Sequence, residues 1–177
     1  MTESAFGDTF PPFDGTADTL VRSIVTYLVE STDTPDDTPE RLERTLGMAL
    51  HASAAPGRPP RYSGSVRLQP QWRGVVTFTP SNSPDPALTL QFDDAAEDES
   101  VAESPAFQLV DLESVTAAFE NDGFSCTPRY GLHGTFGGAF AHRGALVVAL
   151  TARPSADTAP LRRFVTHVSA TWGLEHD

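Results

Sequence analysis

The sequence predicts an α+β fold: antiparallel sheet with helices packed on one face, in the order ααβββ-αβββα. Three observations carry this. Some segments space apolar residues three and four apart, as one face of a helix requires, while others alternate apolar and polar with period two. Hairpin-length turn chemistry separates the alternating segments. Acids and bases fall in different stretches of chain.

Residues 1–15 are rich in Phe, Pro, Gly and Asp without periodicity and are expected to form an extended arm. Helix one is expected near Ala17–Ser31, with Leu20, Ile24 and Leu28 at i, i+4 and i+8 and Asp18 in the first turn. Helix two begins with Thr38 as N-cap and Pro39 at the first position; Leu42, Leu46 and Leu50 form its stripe, and prolines from Pro56 onward end it. Three strands follow. Tyr62, Gly64, Val66 and Leu68 alternate with polar residues, as do Val76 with Phe78, and Leu88, Leu90 with Phe92. Arg67 and Arg73 take the polar parity.

An acidic linker over 94–104 joins the halves 16–93 and 105–177 of one domain. Helix three covers Leu112–Asn121, capped by Asp111 and stopped by Asp122-Gly123. Strands are expected near Phe124–Tyr130, Leu132–Ala141 and Ala145–Ala152, with Pro128 marking the first as an edge. Helix four is expected to open at Asp157/Thr158, with Leu161, Phe164, Val165, Val168 and Trp172 on one face. The order of elements is similar to that of small acidic secretion chaperones and related sensory-regulator domains, a likeness of order that no sequence motif accompanies.

The run from Tyr130 to Gly144 carries five glycines, two histidines and an arginine. A phosphate loop needs Gly-Lys-Ser/Thr at a helix start, and the chain has no lysine. The glycine spacing fits no dinucleotide fingerprint. The run therefore reads as a hairpin, with Gly137-Gly138 as a bulge or a close approach and Gly144 in the turn. His51, His133, His142, His167 and His176 match no zinc spacing, and the one cysteine, Cys126, lacks an adjacent activating base in sequence. No cofactor, metal site or catalytic constellation is expected.

Ten acids lie between Glu3 and Glu43 and eleven between Asp85 and Asp122, whereas Arg44–Pro84 holds none. Within that acid-free stretch, Arg61, Arg67 and Arg73 are interleaved with Tyr62 and Trp72, the residue types that anchor interfaces. The leading expectation is a non-enzymatic protein-binding or regulatory module that uses an exposed sheet face and the Trp72 loop, with a homodimer possible. Two alternatives are a nucleic-acid-associated regulator using the arginine faces, which the net charge of −12 opposes, and a small enzyme with a pocket near His133, His142 and Arg143. The Met-Thr-Glu-Ser start shows no basic signal region, and the apolar run Ala145–Leu150 is too short to span a bilayer, so a cytoplasmic, non-membrane chain is expected.

All twelve basic residues are arginine against twenty-four acids. A halophile's salt-rich cytoplasm and a GC-rich mesophilic genome both yield this pattern. Unfolding followed against KCl separates them: a halophilic chain loses stability in dilute buffer, whereas a chain shaped by codon bias is fully folded there.

Overall fold

The computed structural model describes residues 16–31, 38–68, 72–80, 83–94, 110–154 and 162–173. The expected arm over 1–15 lies outside the described residues, as does the acidic linker apart from Asp94, which ends a strand. The described elements are α1 (Ala17–Glu30), α2 (Pro39–Leu46), β1 (His51–Ser53), β2 (Arg61–Leu68), β3 (Trp72–Thr79), β4 (Ala87–Asp94), α3 (Leu112–Asn121), β5 (Ser125–Tyr130), β6 (Phe136–Arg143), β7 (Leu146–Pro154) and β8 (Arg163–Trp172). The strands form one antiparallel sheet in the order β1-β2-β3-β4-β8-β7-β6-β5. Two four-strand meanders thus meet at β4 and β8, and what read as two blocks of sheet is continuous.

Helix α1 starts where Thr16 accepts from the Thr19 backbone N–H and the Thr19 hydroxyl answers the Thr16 N–H, a reciprocal cap. Its Leu20, Ile24 and Leu28 are wholly buried. Each such side chain contributes roughly 1.5–3 kcal/mol of transfer free energy. Helix α2 ends sooner than the leucine stripe suggests. Gly47 takes the left-handed conformation (φ 66°) and its N–H returns to the Glu43 carbonyl at 2.8 Å. Leu50 therefore leaves the helix, although it stays buried, and His51–Ser53 forms a short edge strand. Arg41 fastens α2 to α1 through Glu30 at 2.9 Å.

The expected helix four is strand β8. Its centre pairs with β4 (Leu88↔Ala170, Leu90↔Val168) and with β7 (Val148↔Ala170, Leu150↔Val168). The register shifts between Thr151 and Ala152, where His167 and then Val165 stand opposite, so Thr166 is an unpaired bulge residue. The bulge puts Val165 and Val168, three apart, on the same buried side. That spacing mimics a helical face. Phe164, expected in the core, is half-buried and lies beyond the bulge opposite Arg153. Leu161 lies outside the described residues.

The hairpin reading of the glycine-rich run holds in outline. A 3₁₀ turn over Leu132–Gly134 precedes β6, and Gly144 (φ 57°) turns the chain into β7. The pairing shifts between Arg129 and Tyr130. At Gly138 (φ 141°) a Cβ would collide with the Leu150 carbonyl oxygen, so only glycine fits. The shift sets Phe136 and Phe140 on opposite faces: Phe136 packs against the core, Ala139 and Ala141 are buried, and Phe140 is exposed.

Arg143 ties the helices to the sheet. Its Nη1 donates to the Asp122 carbonyl (3.0 Å) and its Nη2 to those of Val29 (2.6 Å) and Ser31 (2.9 Å), while its guanidinium lies 4.4 Å from the Phe124 ring centroid. One cation thus satisfies the carbonyl ends of α1 and α3, where helix dipoles favour positive charge. Arg143→Met is expected to cost about 3 kcal/mol by stranding these carbonyls, or roughly 6–12 °C in Tm for a chain of this size. Arg143→Lys should recover only part, since an ammonium does not span three acceptors. Thermal unfolding by circular dichroism checks both.

Candidate functional site

Every described helix packs on one face of the sheet, the face of Val66, Val76, Leu90, Val168 and Leu150. The opposite face carries no described helix. Register fixes its rows. One row runs Ser63–Thr77–Thr89–Ser169–Ala149–Phe140–Thr127, each residue the Cα partner of the next. The next runs Ser65–Val75–Gln91–His167–Thr151–Gly138–Arg129, and a third, shorter row is Arg67–Arg73–Asp93. The centre is small and hydroxyl-bearing, and the arginines lie toward its ends.

Arg61, Arg67 and Arg73 all stand exposed on this open face. Arg67 and Arg73 are directly opposed, an arrangement of like charges that weakens a strand pair. Only Asp93 offsets them, with an oxygen 3.8 Å from the Arg73 Nη2, beyond good hydrogen-bond range. The Gln91 amide donates to the other Asp93 oxygen at 2.7 Å. Among the described residues, Arg61 and Arg67 have no acidic partner. They differ in this from Arg22, paired with Asp18 at 2.6 Å, and from Arg41.

Tyr62 does not join these arginines. It faces the helices, packs on the core and lies 6.3 Å from the Phe78 ring, because its parity is that of Gly64 and Val66. Trp72 is not in a loop: its backbone opens β3 opposite Leu68 and Asp94, and its side chain lies outside the described residues.

The residues named for an enzymatic pocket are not brought together. His133 lies in the 3₁₀ turn before β6, with φ 63°, while His142 and Arg143 end that strand on opposite faces. Arg143 is committed to helix carbonyls. Cys126 pairs with Ala141, and its thiol donates to the Thr116 carbonyl at 3.7 Å. Burial, aided by Glu120, pushes that thiol above its ordinary pKa, the reverse of what a nucleophile needs. Cys126 does line a groove of about 690 Å³ between α3, β5 and the start of β8, with Glu113, Glu120 and Arg163. Arg163 is engaged there over the Phe136 ring at 3.8 Å.

Sequence reasoning missed a second group on the open face. Arg129 Nη1 donates to Thr151 Oγ1 at 3.1 Å, and its guanidinium lies 5.6 Å from the Phe140 ring centroid. His167, the cross-strand partner of Thr151, falls within the expected helix four and is instead half-buried on β8. The signal was Gly138: a strand position without a side chain lets a long neighbour lie across it.

Among the described residues no helix is long and apolar enough to cross a membrane, and no cluster of metal-ligating side chains occurs. Comparison with protein-family models, curated proteins and solved structures finds no match to this chain.

Burial and then the Arg129 charge lower the His167 pKa from its ordinary 6.5. The unfolded chain therefore takes up a proton that the fold resists, and this group's share of stability, full above pH 6.5, is lost as pH falls through the folded pKa. His167→Gln should flatten the pH slope of stability below 6.5 relative to wild type, measured by urea unfolding between pH 5 and pH 7.5.

Proposed function

We propose that this chain is a non-enzymatic binding module whose open sheet face receives an acidic segment of a partner protein. One observation carries the reading. On this face the described strands present Arg61, Arg67, Arg73, Arg129 and Arg153, and among the described side chains of those strands the one carboxylate on it is Asp93, although the chain's net charge is −12. A surface of opposite sign to its own protein attracts partners by field and selects them by register. The opposed Arg67 and Arg73 gain most from such a partner, since a carboxylate between them replaces repulsion by charge-assisted hydrogen bonds. The hydroxyl-rich centre adds hydrogen-bonding capacity without demanding a deep pocket.

The face offers a nucleic acid little to stack on. Tyr62 is turned to the helices, and Phe140 is its most exposed described aromatic, at 37 %.

A fluorescein-labelled poly-L-glutamate of about 20 residues, followed by anisotropy near 0.15 M salt, tests the reading; the Debye length is then about 8 Å, which screens the acidic helices from the far face. Poly-L-glutamate should bind, and Arg67→Gln with Arg73→Gln should weaken it about tenfold, the equivalent of about 1.4 kcal/mol. Unchanged affinity in a folded double variant sinks the proposal. Tighter binding to a single-stranded oligonucleotide of similar length, with a steep salt slope, would replace it with a nucleic-acid partner.

A further inference from the structure

We infer that Arg129, Thr151 and His167 form a second anion-binding point on the open face, and that it acts with the Arg67–Arg73 pair to hold two carboxylates of a single acidic segment crossing the strands. This inference rests on the reading of the open face as a site for an acidic partner.

Three features make the Arg129 group a prepared site rather than a loose surface charge. Gly138 stands between Arg129 and Thr151 in the row and has no side chain, so the guanidinium can lie across β6. Its Nη1 is held by the Thr151 hydroxyl at 3.1 Å and its plane is supported by Phe140 at 5.6 Å. The side-chain entropy that an arginine loses on binding is therefore already largely lost. The anchor is neutral, and among the described residues no carboxylate reaches Arg129, so its charge is uncompensated. Its other N–H groups are available to a planar carboxylate.

His167 extends the point by one strand, since Thr151 pairs with His167 and His167 with Gln91. The imidazole already feels Arg129, which together with burial disfavours its protonation. A carboxylate seated between them would cancel that repulsion and let both groups donate. Phe140 and the half-buried Phe164 flank the point with apolar surface, which suits a carboxylate that has an apolar neighbour in its own chain.

The sheet sets the spacing. From β3, which carries Arg73, to β7, which carries Thr151, there are three strand intervals through β4 and β8. At about 4.8 Å each, and with one row of offset along the strands, the two points lie roughly 15 Å apart. An extended chain rises about 3.3 Å per residue, so the matching carboxylates are about four or five residues apart. Gln91 and His167 lie along the path as polar contacts.

Two fluorescein-labelled peptides of equal charge, in a Ser/Ala/Leu background, test this by anisotropy. One has its two glutamates four residues apart and the other has them adjacent. The spaced peptide should bind about tenfold more tightly, and Arg129→Gln should abolish that preference. Thr151→Val, which releases the guanidinium from its anchor while keeping the side chain's shape, should reduce the preference about threefold. Equal affinity for the two peptides, or a spacing preference that survives Arg129→Gln, overturns the inference. If Arg129→Gln does not fold, an undiminished preference in Thr151→Val overturns it. Should the Arg67→Gln/Arg73→Gln variant lose poly-L-glutamate binding while Arg129→Gln changes nothing, the two-point geometry falls and the acidic-partner reading stands; if neither variant changes binding, both fall.

Discussion

The pairing of β4 with β8 is the constraint on which the rest of the molecule depends. Five consecutive partners, from Ala87↔Thr171 to Gln91↔His167, join the last strand of one meander to the last strand of the other. On the covered side this contact closes one core, with Leu88 and Leu90 against Ala170 and Val168, all essentially buried. On the open side it makes two narrow strips into one broad face, which is why Arg73 and Arg129 share a surface. The strand that does this is the last described in the chain and lies mid-sheet, so the sheet is completed only after long loops have closed. Such non-local pairing slows folding.

Arginine serves two different purposes here. Arg143 points to the helices and is consumed: three carbonyls and an aromatic ring surround it. Its effect is structural, because helix ends left without donors on a sheet would carry a desolvation penalty. Arg67, Arg73 and Arg129 point the other way: Arg67 and Arg73 oppose each other beside one distant carboxylate, and Arg129 meets one hydroxyl and one aromatic ring. Like charges held in register are a local conflict that the fold tolerates, and such conflicts gather where a surface answers to something outside the chain.

The acids complete this division. Among the described residues, Asp18, Glu30, Glu40, Glu43, Glu113 and Glu120 lie on the helices, whereas Asp93 stands on the open face. The net charge of −12 belongs to the whole chain and does not describe the open face, where arginines outnumber the described carboxylates.

Much of this was already written in local sequence. Thr38-Pro39, Asp111 and Gly123 start and stop helices by local chemistry within a few residues, and α3 runs over Leu112–Asn121 as its periodicity requires. Alternation in β2, β3 and β4 fixed which side Arg67 and Arg73 face, because a strand's parity is a local property. Three things were decided only by tertiary structure. Gly47 can lie inside a helix or cap one; the edge strand at His51–Ser53 that follows its left-handed turn exists only because β2 lies beside it. The segment Arg163–Trp172 fits a helical stripe as well as a bulged strand, because one unpaired residue at Thr166 turns a two-residue repeat into a three-residue step. The Arg129–Thr151–His167 group joins residues from three strands whose adjacency follows from sheet order alone, and no spacing along the chain encodes it. Local rules choose conformations residue by residue; which strands become neighbours is settled by burying the whole apolar surface at once.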